Sequence, residues 1–140
     1  MWQVYAFLSA FFAALVAIFA KIGLKAVDPI AGTAIRSIIM AAVVLFAAIA
    51  LHRFKTTPVS MIGVKDWILI SMAGIAGAAS WIFYFMALKT GEAAKVSAID
   101  RTSLVFIVIL AALFLGEAFT WKSALGIVFI MIGVVIMSFI

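Results

Sequence analysis

Five separated runs of about 20 mostly apolar residues each take up most of this chain. They cover about Trp2 to Ala20, Pro29 to Leu51, Trp67 to Leu88, Ala94 to Leu115 and Trp121 to Phe139. A helix rises about 1.5 Å per residue, so each run can cross a hydrocarbon core roughly 30 Å thick. Inside that core every backbone N–H and C=O must be bonded within the protein, which leaves helices and closed barrels. A lipid-facing barrel strand alternates apolar and polar residues, and these runs do not alternate. The pattern predicts an all-α membrane protein: five transmembrane helices forming a single transmembrane domain over residues 1–140. Composition agrees, with 69% hydrophobic and 11% charged residues against about 45–50% and about 25% in soluble domains.

Several function classes drop out early. The chain has no cysteine and therefore no disulfide framework or thiolate metal site. Its single histidine, His52, sits in a basic loop, which excludes a multi-histidine metal site within one chain. No nucleophile–base pair, phosphate-cradling glycine loop or zinc-protease motif is present, so the expectation is no enzyme and no cofactor. The net charge of +5 would suggest nucleic acid in a soluble protein. Here the basic residues lie at segment ends, where they anchor helices to the membrane surface, and no nucleic-acid partner is expected.

The breaks carry helix punctuation. Asp28-Pro29 reads as an N-cap followed by proline at the first helical position. Asp66 and Thr120 are candidate caps for the third and fifth helices, and Gly91 and Gly116 suit left-handed helix stops. Trp2, Trp67 and Trp121 lie at segment ends, where an indole prefers the headgroup level. The first segment lacks a basic leader and a small-residue cleavage site, so it reads as a mature helix. Basic residues do not choose an orientation. Lys21, Lys25, Lys89 and Lys95 fall on one side and Arg53, Lys55, Lys65 and Lys122 on the other. Either local signals set one topology, or chains insert both ways.

Charges within an otherwise lipid-soluble stretch need a reason. An isolated Arg or Asp at the centre of a span costs about 2.5 kcal/mol or more. Helices two and four begin on the side where helix three ends. Arg36 lies seven residues past Pro29, roughly 10 Å down the helix. Asp100 lies at roughly 9 Å, Trp81 at roughly 10 Å and Tyr84 at roughly 6 Å by the same rise. Four polar or amphipathic side chains on three helices thus share one depth band. Two readings stay open for Arg36 and Asp100: a staple between helices, or charged contacts lining a wet cavity. Trp81 and Tyr84 share a helix face that continues through Gly74, Gly77 and Ala78, and could hold a cation or planar molecule or simply pack. Arg101 is about 100° round the helix from Asp100 and can snorkel to the interface. Glu117, at the opposite membrane face, is a solvated loop carboxylate or a coupling group. Gly126 and Gly133 lie on one stripe of helix five, where small residues let helix backbones approach.

These residues resemble a known family. The run FLGEAFTWKSALGIVFIMIGVV from Phe114 to Val135 is similar to the closing signature of EamA domains in the drug/metabolite transporter superfamily. So is Trp81 to Leu88 (WIFYFMAL) followed by Gly91, Glu92, Ala93 and the stretch Lys95 to Arg101 (KVSAIDR). Lys21 to Ser37 (KIGLKAVDPIAGTAIRS) resembles the five-helix, single-domain members. Most relatives carry two such domains and ten helices. An odd number of helices per domain inverts the second copy automatically, and a single-domain chain must find its inverted half in another chain. The resemblance implies an inner-membrane transporter subunit that moves a small metabolite or drug-like solute by alternating access as a homodimer, antiparallel in preference to parallel. Arg36, Trp81, Tyr84, Lys95 and Asp100 would contact solute, Glu117 could couple transport, and Gly126 and Gly133 would line the dimer interface. The similar small multidrug resistance proteins carry an essential carboxylate in their first helix. This chain has none there, so the same proton-coupled chemistry does not carry over. The alternative is a non-transporting assembly or accessory subunit.

Overall fold

The computed structural model describes residues 1–139. Its helices are α1 (Trp2–Gly23), α2 (Pro29–Ala50), a four-residue α3 (Arg53–Thr56), α4 (Val64–Thr90), α5 (Ala93–Asp100), α6 (Ser103–Leu110) and α7 (Trp121–Phe139). A short 3₁₀ turn spans Val59–Met61, and a π turn, Ala111–Leu115, closes α6. No strand occurs among the described residues. Five helical stretches are long and apolar enough to cross a membrane: α1, α2, α4, the compound Ala93–Leu115 and α7. The chain is an all-α, multi-pass membrane protein.

Capping chemistry sets several boundaries. The Asp28 Oδ1 accepts from the N–H groups of Ile30 (2.9 Å) and Ala31 (3.0 Å), and Pro29 opens α2 without a donor to lose. Thr120 Oγ1 accepts from Ser123 N–H at 3.2 Å and starts α7. Gly116, at φ 67°, ends the π turn in the left-handed region that glycine enters without a Cβ penalty. Its N–H and that of Glu117 both turn back to the Ala111 carbonyl. Two expectations shift. Gly91 is not among the positive-φ residues, because α5 starts directly from an extended Glu92. Asp66 does not cap α4, because the helix begins two residues earlier and places Asp66 in its first turn, where a carboxylate still complements the helix dipole.

The fourth span is not one helix. Arg101 (φ −65°, ψ −13°) and Thr102 (φ −61°, ψ −20°) form a 3₁₀ turn between α5 and α6. Their N–H groups reach Ala98 and Ile99, three residues back. The α-helical register therefore breaks just after Asp100.

Packing divides the chain into two units. One runs from Ile22 to Lys89; the other joins Met1–Lys21 to the chain from Thr90 onward. In the first, Leu24, Thr33, Phe85 and Leu88 are buried. They gather where the α1–α2 loop, the head of α2 and the end of α4 meet. In the second, α5 packs on α7, Ala98 and Val134 are buried, and Lys21 Nζ donates to the Gly91 carbonyl at 2.7 Å. Nearly all other large apolar side chains on the spans are exposed, as expected where the solvent is lipid. Hydroxyls inside the spans satisfy themselves on their own helices. Thr33 Oγ1 donates to Pro29 O (2.7 Å) and Ser37 Oγ to Thr33 O (2.8 Å).

Candidate functional site

The unit from Ile22 to Lys89 builds its site from the top down. Lys89, in the last turn of α4, turns back to the α1–α2 loop and donates to the carbonyls of Leu24, Lys25 (3.2 Å) and Val27 (3.0 Å). An ammonium has three N–H donors, so all are engaged. The clip holds Leu24, 3% exposed, over the head of α2. Gly32 makes that possible, since a Cβ there would meet Leu24 Cδ2 at 2.9 Å. Beneath Leu24, Phe85 lies 3% exposed on α4.

One turn further along α2 comes Arg36. Its guanidinium carbon sits 3.6 Å from the centroid of the Trp81 ring and 5.8 Å from that of Phe85. This is a close cation–π stack, worth about 2 kcal/mol when water is excluded. Tyr84 and Phe85 then meet Trp81 edge-on, with centroids 5.5 Å and 5.8 Å away. A positive edge against a negative ring face is the favourable arrangement for such pairs. The aromatic cluster thus does to a side chain of this protein what an aromatic cage does to a cationic ligand.

The stack leaves the guanidinium's in-plane donors to be accounted for. The Nη1 atom of Arg36 is buried and has no hydrogen-bond partner among the described residues. Asp28 and Asp66 are the acids of this unit. Asp28 spends its Oδ1 on the cap of α2, and Asp66 lies in the first turn of α4, fifteen residues from Trp81 or roughly 22 Å along the helix. Neither neutralises Arg36.

The other expected site residues belong to the second unit. Asp100 is the last residue of α5, at the helix break, and is exposed. Lys95 makes an i,i+3 ion pair with Glu92 at 3.7 Å, largely exposed and correspondingly weak. Glu117 is exposed in the segment after Gly116. A Cβ at Gly126 or Gly133 would meet nothing within 4 Å. Of the residues grouped by depth, Arg36 meets Trp81, and Tyr84 meets the Trp81 ring rather than Arg36. Depth reasoning missed Phe85, although Phe85 lies at i+4 from Trp81 and on its face. It also missed Lys89 as a clip, whose targets lie more than 60 residues away in sequence and carry no local signal.

Comparison with known proteins adds two findings. The chain matches the EamA-like transporter family over residues 1–139. It is 39% identical over 137 residues to a Sinorhizobium protein described as an uncharacterized transporter in the cobO 3' region, with 98% of this chain and 96% of that one aligned. No solved structure gives a significant match.

Proposed function

Since the chain belongs to the EamA-like transporter family and is a multi-pass membrane transporter, we propose that it moves a small metabolite or drug-like solute across the cell inner membrane by alternating access, as a homodimer. Arg36 and Asp100 supply charged contacts to the solute. The Trp81 and Tyr84 face forms one wall of its path, and Lys95 draws anionic groups towards the mouth. Glu117, far from these residues in sequence, is a candidate coupling group. The observation that supports this reading is the Arg36–Trp81 stack. A half-buried guanidinium within a span, set on an aromatic cluster and with its buried Nη1 lacking a hydrogen-bond partner among the described residues, is an expensive feature if it serves packing alone.

The chain has no native cysteine, so a single introduced thiol reports accessibility without background. In Tyr84→Cys, a membrane-impermeant thiol reagent is expected to react, and transported solute to slow the reaction. If position 84 stays unlabelled while lipid-facing positions of α4, such as Phe83→Cys, react, the path does not run along this face. Purified protein in vesicles separates this reading from an accessory role, because an accessory subunit alone moves no solute.

A further inference from the structure

The aromatic cluster looks at first like a receptor for a cation. Its geometry argues the reverse. Within 3.6 Å of the Trp81 ring there is already a guanidinium, and it is a residue of the protein. A cationic solute approaching that face would have to displace Arg36 and then remain beside it. Two unit charges about 4 Å apart repel by about 4 kcal/mol at an effective dielectric constant near 20. The stack also fixes which part of Arg36 remains available. The ring takes the charge of the guanidinium without accepting its N–H hydrogen bonds, and those donors form the fork that matches two oxygens of one oxyanion. Nη1, buried and without a partner, belongs to that fork. Lys89, another base of this unit, has all three donors engaged by carbonyls.

Resting on the transporter reading above, we infer that the stack is a receptor for an organic anion and that the solute carries a carboxylate. Trp81, Tyr84 and Phe85 hold Arg36 in place; Arg36 selects the charge.

The test uses full-length protein in dodecyl maltoside with Trp2, Trp67 and Trp121 replaced by Phe, so that Trp81 emission reports the stack. The probes share one ring and differ in charge: cyclohexanecarboxylate, cyclohexanecarboxamide and cyclohexylammonium. Cyclohexanecarboxylate is expected to give a saturable emission change. The half-saturation concentration of the carboxamide should be higher by roughly tenfold or more, since it is neutral and has a single acceptor oxygen. Cyclohexylammonium should give no saturable change. Arg36→Gln should abolish the carboxylate response, and Arg36→Lys retain part of it.

A tighter response to the ammonium, a carboxylate response that survives in Arg36→Gln, or no saturable response to any probe overturns the inference. Adding dioleoylphosphatidylglycerol tests the other source of an anion. An Arg36-dependent change with that lipid, which cyclohexanecarboxylate cannot compete away, would assign the site to a headgroup and overturn a soluble solute. The labelling of Tyr84→Cys keeps the two claims apart. Labelling with a failed anion response leaves the transport path standing without its charge class; absent labelling removes the path itself.

Discussion

Four tryptophans in one chain do two different jobs, and burial separates them. Trp2, Trp67 and Trp121 stand at span ends, 75%, 48% and 78% exposed, where an indole prefers the headgroup level. Trp81 lies within α4, half-buried, and carries Arg36 on its ring. That difference was legible in the sequence, because position along a span already distinguishes an anchor from an internal aromatic. What the sequence did not show is that the ring's cation is the protein's own. Depth along a helix is a one-dimensional coordinate and cannot say which of several groups in a band meet. The same limit applies to Arg36 and Asp100, which the sequence gives a common depth and opposite charge but which fall in separate units. A double-mutant cycle decides whether they meet. If the two interact, the cycle of Arg36→Ala and Asp100→Ala should return a coupling energy of about 0.5–3 kcal/mol in stability or transport. Strictly additive effects would show that the two do not interact.

At the scale of helices, the five spans were readable to within a few residues because about 20 apolar residues in sequence have few other outcomes. The interruption of the fourth span was not. It contains neither proline nor glycine, only Asp100, Arg101, Thr102 and Ser103 in succession, and short polar side chains loosen a helix without announcing it. The knot at the head of α2 was equally silent, since its parts are an ordinary glycine, an ordinary leucine and a lysine on a different helix. It makes two predictions about stability. Lys89→Met removes three charge-assisted hydrogen bonds, and the melting temperature in detergent should fall by an amount corresponding to about 1.5–3 kcal/mol, after allowance for exposure. Lys89→Arg should recover only part, because a planar fork does not converge on three carbonyls as an ammonium does. Gly32→Val should destabilise by about 1–3 kcal/mol, because Leu24 is held by the Lys89 clip and cannot retreat from an added branched side chain. An unchanged melting temperature in both Lys89→Met and Gly32→Val would show that the loop does not hold the head of α2.

For the whole molecule the open quantity is what a single five-helix chain pairs with. Contacts between membrane helices are poorly encoded in composition, since lipid tails are as apolar as leucine and only small or polar residues mark an interface. Gly126 and Gly133 are such marks on α7, and a side chain at either would enter open space within the chain. The proposal is that a second copy covers them, antiparallel in preference to parallel. Two features of the sequence support the inverted arrangement: an odd number of spans, and four basic residues on each side, which leave the positive-inside rule without a preference. The two halves of the claim are tested separately. Gly126→Leu with Gly133→Leu should convert dimer to monomer, read by light scattering in detergent or by cross-linking in the membrane, because bulk at both positions keeps the backbones apart. A dimer that survives both substitutions places the contact on another helix. Tags at the C-terminus should then be reached from both sides of the membrane if chains insert both ways. A tag reached from one side, with the dimer intact, makes the pair parallel. In that case both copies of Arg36 lie in the same leaflet, and the inverted symmetry that alternating access exploits is missing from this pair.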